Sequence, residues 1–261
     1  MDSKIIYLMY HELEVPGRPL CQTEAGYVRY ILSAANFRTQ MQTLKNAGGR
    51  GVSVGEALTF PATRCTTVTF DDGCETDLLA AAPILKEFGF GATFYVTSGM
   101  VGSPGFLSAP QMRELSSLGF EIGCHSMTHA YLPDLDDVRL HEEIAGAKTK
   151  LEQTLGRAVI HFSCPGGRYD QRVKDFARAA GFRTVATSQI RGNSESSDPF
   201  ELGRVAVMRD TPLTTFTEWC EGRGLWQLAA RDSLRNSVKR VLGNSFYDRV
   251  RATVLRDGAA H

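Results

Sequence analysis

The sequence predicts an α/β fold in which parallel strands are covered by helices, and three observations carry that expectation. Short β-branched and aromatic runs alternate with segments whose apolar residues recur at helical spacing. The connections between successive runs are long enough for the right-handed crossovers that parallel strands need. Seven or eight strand-like runs occur in 261 residues, which favours closure into a barrel over an open doubly wound sheet.

The elements follow in order. Lys4 to Tyr10 reads as a first strand ending at His11-Glu12, and a loop containing Pro16, Gly17 and Pro19 comes next. Phe37, Met41 and Leu44 share one face of a helix over Phe37 to Ala47, which Gly48-Gly49 stops. Gly51 to Val54 is a short strand and Val54 to Leu58 a short helix. Thr66 to Phe70 is β-branched or aromatic throughout and ends at two carboxylates and a glycine, Asp71-Asp72-Gly73. Thr76 to Phe88 is helical, with Pro83 marking a kink or a restart. Ala92 to Val96 is a strand, Ala109 to Leu118 a helix, and Phe120 to Cys124 a strand running into His125. Asp136 to Leu155 is the longest helix, with Ile144, Ala147, Leu151 and Leu155 as its inner stripe and Gly156 at its stop. Val159 to Cys164 is a strand that ends at Pro165-Gly166-Gly167. Val173 to Ala180 is a helix, and Thr184 to Thr187 and Arg204 to Met208 are strands.

The barrel is therefore expected over residues 1–213, with a helical extension packed on it over 214–261. In the extension, Leu234, Val238, Val241 and Leu242 sit in a basic amphipathic pattern. Such a pattern suits solvated helices packed on a domain, and it is also one that touches membrane surfaces.

With 29 basic and 29 acidic side chains, the formal net charge is zero, which argues against nucleic acid as a partner. No stretch approaches the roughly 20 apolar residues of a membrane span. The first ten residues lack the basic start and small-residue cleavage site of a signal peptide, so a cytoplasmic location is expected. The six cysteines include no Cys-x-x-Cys pair and read as free thiols.

The chemistry-bearing residues gather at strand ends. Asp71-Asp72-Gly73 alone reads as a hairpin turn, or as two carboxylates delivered to an open sheet end. His125-Ser126-Met127-Thr128-His129 spaces two imidazoles by four residues, and a helical coil there would put both on one face. One carboxylate with two imidazoles is a common ligand set for zinc, and it also suits cobalt, nickel or iron. Pro165-Gly166-Gly167 is a turn that permits close backbone approach to a ligand. His11, at the end of the first strand, is either a hydrogen-bonded core histidine or part of the same site. Four such features at four strand ends argue for one site, at the face where α/β folds place their chemistry. Tyr169 and Tyr131 are aromatic groups that stack on a sugar ring or simply pack.

These residues resemble the polysaccharide deacetylases, the family 4 carbohydrate esterases with a NodB-type domain. Thr69 to Gly73 is similar to the family's first motif, His125 to His129 to its second, and Phe162 to Gly167 to its third. The resemblance spans roughly Ile5 to Val207. It implies a distorted (β/α)7 TIM-like barrel and a metal-dependent hydrolase that removes acetyl groups from N-acetylated sugars. By motif position, Asp71 would be the general base; Asp72, His125 and His129 would hold the metal, with zinc the default. Gly166, beside Gly167 and Tyr169, would offer a backbone N–H to the oxyanion. Ser163 stands where many members carry an arginine, and Arg168 and Arg204 are the candidates to orient Asp71 in its place. Gly166 stands where many members carry an aromatic. The family's late Leu-x-His motif is absent. Leu8-Met9-Tyr10-His11-Glu12 instead resembles the opening of the circularly permuted branch that includes poly-N-acetylglucosamine deacetylases, which gives His11 the role of acid. The expected partner is an N-acetylated glycan or a glycan precursor. The rival readings are a deacetylase of a small or lipid-linked amino sugar or a non-sugar amide, and an inactive carbohydrate-binding barrel.

Overall fold

The computed structural model describes residues 4–59 and 65–230. Ten strands appear: β1 (Ile6–Tyr10), β2 (Leu13–Glu14), β3 (Leu32–Ser33), β4 (Arg50–Val52), β5 (Cys65–Phe70), β6 (Thr93–Val96), β7 (Glu121–Cys124), β8 (His161–Ser163), β9 (Thr184–Ala186) and β10 (Val205–Ala206). Eight of them form one parallel sheet in the order β10-β1-β5-β6-β7-β8-β9, with β4 paired to the first half of β5. A parallel bridge between Ala186 and Leu202 carries the β9 edge back towards β10, so the sheet curls round on itself as a distorted TIM-like barrel. The expected fold class holds. The short parallel pair β2–β3 was not legible in the sequence, because two residues are too few to show a period.

Side chains alternate between two layers, as the pleat requires. Ile6, Leu8 and Tyr10 of β1, Val68 and Phe70 of β5, Phe94 and Val96 of β6, Ile122 and Cys124 of β7 and Phe162 of β8 belong to the large core under the surrounding helices. Rings of Tyr10, Phe37, Phe70, Phe94 and Phe120 meet in sequence there, with centroids 5.0–5.4 Å apart. Tyr7, Val52, Tyr95, Ala186 and Leu202 form a smaller cluster. The alternate positions of β5 to β8 carry Thr67, Thr69, Thr93, Tyr95, Glu121, His161 and Ser163 and are mostly polar. Continued one residue past the strand ends, that period brings in Asp71 and His125.

Two helices differ from their expected form. The helix expected over Thr76 to Phe88 starts as a π-helical turn, Asp77–Ala81, and continues as Ala82–Phe88, with Pro83 just after the change from one to the other. The helix expected over Asp136 to Leu155 runs as Asp137–His141, a π-helical turn Glu142–Gly146, and Ala147–Leu155. The helix Leu213–Cys220 buries Phe216 and Trp219 and packs on the helix Ala34–Asn46. The amphipathic pattern from Leu234 onward lies outside the described residues. Among the described residues, no helix is long and apolar enough to cross a membrane.

Candidate active site

The site begins where β5 ends. The Asp71 N–H donates to Tyr10 O at 2.9 Å, which extends the β1–β5 pairing by one residue. Asp72 then turns left-handed at φ +82°, and Gly73 follows at φ +80°. A Cβ on Gly73 would stand 2.9 Å from Val96 Cγ1, so both the backbone angle and the space call for glycine. This turn aims two adjacent carboxylates at different partners.

Asp71 meets Arg204. Nη1 of the guanidinium donates to Asp71 Oδ1 at 2.7 Å and Nη2 to Oδ2 at 2.8 Å, a two-pronged pair. The same guanidinium donates to Ser163 Oγ at 2.7 Å and to Thr187 O at 3.0 Å, and it is fully buried. The Ser163 hydroxyl lies 3.3 Å from Asp71 Oδ2 and donates to it. Burial would push the Asp71 carboxyl up, but the Arg204 charge, with His125 behind it, holds it well below the usual carboxylate range. Of the two arginines proposed to orient Asp71, Arg204 makes the contact. Arg168 instead lies over the Tyr131 ring, 3.8 Å from its centroid.

Asp72 faces the imidazoles. Its Oδ1 lies 3.5 Å from His125 Nε2 and 3.5 Å from His129 Nε2. Four tetrahedral bonds of about 2.0–2.2 Å put neighbouring ligand atoms roughly 3.3–3.6 Å apart, so the three side chains fit a divalent cation. His125 Nδ1 sits 2.8 Å from Ser163 O. A carbonyl only accepts, so Nδ1 carries the proton and the Nε2 lone pair faces Asp72. Burial first of all lowers the His125 pKa, to about 4, which keeps the ring in its neutral, metal-binding form. His129 is 43% exposed and leaves one side of the group open.

The segment from His125 to His129 is not helical. Ser126 (φ +67°) and His129 (φ +65°) adopt left-handed backbone, and the His129 N–H donates to Ser126 Oγ at 3.0 Å. Its two histidines meet because the backbone doubles back, with ring centroids 4.9 Å apart. Glu143, from the π-helical turn, holds this loop by accepting the N–H groups of Met127 at 3.0 Å and Thr128 at 2.9 Å. Nothing in the sequence singled out Glu143.

His11 follows β1 by one residue, packs its ring 5.0 Å from Tyr30, and is close enough for its charge to stabilise ionised Asp71. Its Nδ1 is buried with no hydrogen-bond partner among the described residues. In the third motif, Gly166 (φ +59°) and Gly167 (φ +66°) both need left-handed backbone, and a Cβ on Gly166 would stand 2.9 Å from the Tyr131 ring. The Gly167 N–H is used inside the turn, donating to Cys164 O at 2.8 Å, so it is not available to a ligand. The Tyr169 hydroxyl accepts from Gln189 Nε2.

Residues 61–185 match the family model for polysaccharide deacetylase. Over those residues the chain resembles the polysaccharide deacetylases. The Bacillus subtilis protein YxkH, provisionally named a polysaccharide deacetylase, is 27% identical over 225 residues, covering 84% of this chain and 77% of its own length. A poly-beta-1,6-N-acetyl-D-glucosamine N-deacetylase of Staphylococcus aureus is 21% identical over 210 residues, covering 73% of this chain and 72% of its own. Among solved structures, the polysaccharide deacetylase BC0361 from Bacillus cereus superposes with a TM-score of 0.74 at 25% identity, over 84% of this chain and 69% of that one. The similarity in sequence and in fold thus reaches well beyond the matched motifs.

Proposed function

We propose that this chain is a metal-dependent hydrolase that removes acetyl groups from N-acetylated amino sugars of a polysaccharide or oligosaccharide, with zinc as its ion. The observation that carries the reading is the division of labour between Asp71 and Asp72. One carboxylate joins two neutral imidazoles at cation-binding separation, while its neighbour is held apart by Arg204. The similarity to a poly-N-acetylglucosamine deacetylase over most of both chains supports the substrate class.

A divalent ion held by Asp72, His125 and His129 would acidify water towards a pKa of about 7 and polarise the acetyl carbonyl. The chain's own groups do the rest. Asp71, kept ionised by Arg204, accepts the proton of the attacking water. The Arg204 clamp makes Asp71 a weaker base but fixes its direction, and the acidity supplied by the ion offsets that weakness. The Gly166 N–H is the backbone donor for the developing oxyanion. His11 donates a proton to the departing amine from the opposite edge of the site, where Tyr27 and Tyr30 flank its ring.

The test pairs metal content of the purified protein with acetate release from N-acetylglucosamine oligomers, before and after chelation. The reading predicts release that stops on chelation and returns with zinc. Bound metal with no release from any oligomer would move the substrate to smaller, lipid-linked or non-sugar amides. Glycan binding that survives full removal of metal, without hydrolysis on its return, would make the barrel a binding module.

A further inference from the structure

A second group of metal-type ligands lies beside the first and takes no part in the chemistry above. Glu12, Cys21 and Cys74 each bring one donor atom within 4.8 Å of the others. Glu12 and Cys74 are buried, at 1% and 0% exposure. They come from three separate stretches: the residue after His11, the loop that follows β2, and the residue after the Asp71–Gly73 turn. Both oxygens of Glu12 accept the Cys21 N–H, at 3.0 and 3.1 Å, so this carboxylate is already turned towards Cys21. Cys21 donates its S–H to Gly105 O at 2.9 Å, and the Tyr27 hydroxyl lies 3.6 Å from Cys74 Sγ.

The independent observation is Asp77. It is completely buried, and neither carboxyl oxygen has a hydrogen-bond partner among the described residues. Among those residues, neither Glu12 nor Asp77 forms an ion pair with a lysine, arginine or histidine. Burial above all, then Asp72, Cys21 and Glu12 facing it, pushes the Asp77 carboxyl well above its ordinary range. A buried acid without hydrogen bond or counter-charge is costly, and two thiols and a second acid surround it. A cation held by Glu12, Cys21 and Cys74 would bring the counter-charge that this pocket lacks.

We propose that Glu12, Cys21 and Cys74, backed by Asp77, form a second, thiolate-bearing cation site for a soft divalent ion such as zinc. Binding would release the two thiol protons to solvent and leave two sulfur–metal bonds, with a Glu12 oxygen as the third ligand and Asp77 behind them as an acid whose charge the ion would offset. The ion would fasten the loop carrying Cys21 to the catalytic turn and hold His11, next to Glu12, against the site.

Cobalt separates this site from the first, because only thiolate ligands give an intense sulfur-to-cobalt charge-transfer band in the near ultraviolet. The full chain, stripped of metal and titrated with cobalt, should take up a second equivalent per chain and develop that band. The band should persist in His129→Ala and vanish in Cys21→Ser and Cys74→Ser. If a serine variant fails to fold, the wild-type chain still decides the matter: zinc should protect Cys21, which is partly exposed, from alkylation, and should do so equally in His129→Ala. One equivalent of cobalt without the band, unprotected Cys21, or a Cys21–Cys74 disulfide in the reduced preparation would overturn the proposal. None of these outcomes bears on whether Asp72, His125 and His129 support hydrolysis, since His129→Ala tests that separately.

Discussion

The same strands carry a buried polar group at each end, and the two groups are built on opposite plans. At the amino-terminal end, Glu121 opens β7 and His161 opens β8, with His161 Nε2 3.3 Å from Glu121 Oε1. Glu121 Oε2 accepts the Gly55 N–H at 3.1 Å and the Thr93 hydroxyl, while His161 Nδ1 rests 2.8 Å from Thr184 Oγ1. One acid is matched to one base and to surrounding donors. At the carboxyl-terminal end, two acids stand side by side, three residues other than glycine take left-handed backbone, and His11 Nδ1 and both Asp77 oxygens lack partners among the described residues. In the lower group His161 Nε2 makes no hydrogen bond but faces the Glu121 carboxylate at ion-pair distance. The upper one leaves bonding capacity over, which is what a site that must receive a ligand requires.

Substitutions at the two ends should therefore differ in what they cost. Asp71→Asn keeps an acceptor for Arg204 but cannot take a proton, so acetate release should fall by roughly 10²–10⁴-fold while metal content is retained. Full activity would remove Asp71 from the mechanism. Arg204→Met strands Asp71 as a buried charge and should cost about 3–5 kcal/mol in denaturant unfolding, more than any substitution at the lower end. Adding Asp71→Asn to it should recover part of that loss, and strict additivity would mean that the two do not act as a pair. Glu143→Gln weakens the grip on the loop between His125 and His129, so competition with a chelator should read metal affinity lower by about 10–100-fold.

Glu121→Gln should cost roughly 1–2 kcal/mol at pH 7 and leave turnover unchanged. Burial would raise the Glu121 carboxyl, but His161, Thr93 and Gly55 outweigh it and hold it below the ordinary value. A depressed folded-state pKa contributes stability above the unfolded value of about 4.3 and loses it as pH falls through the folded one. The gap between wild type and Glu121→Gln should therefore be complete at neutral pH and close on the acid side. A gap that widened in acid would mean the pair does not stabilise the fold through charge.

What the sequence disclosed follows the same division. Asp71-Asp72 and His125 were legible because they stand directly after strand-like runs, where a charged or titratable residue is conspicuous, and His129 because it follows His125 by four residues. How His125 and His129 meet was not legible, since helical spacing was the only local route and the chain uses two left-handed residues, Ser126 and His129, to double back. Glu143 and Asp77 escaped notice because an acid inside a helical pattern reads as solvated until burial is known. Arg204 could be named only as one of two candidates. Its contact with Asp71 spans 133 residues, and no local pattern encodes a partner at that distance. The guanidinium that clamps Asp71 comes from the residue just before β10. The small Ser163 side chain lets the guanidinium in and accepts a hydrogen bond from it.

That separation has a consequence in time as well as in space. During synthesis, Asp71, Asp72, His125 and His129 all emerge well before Arg204, and so does every strand except β10. Until the segment that closes the barrel seam is made and docked, Asp71 is a carboxyl facing burial without its counter-ion, and burial favours its neutral form. On the proposed mechanism, the proton acceptor would be completed only by the final step of closure, and a chain that stalls before residue 204 would hold the three proposed ion ligands without an ionised Asp71 clamped beside them.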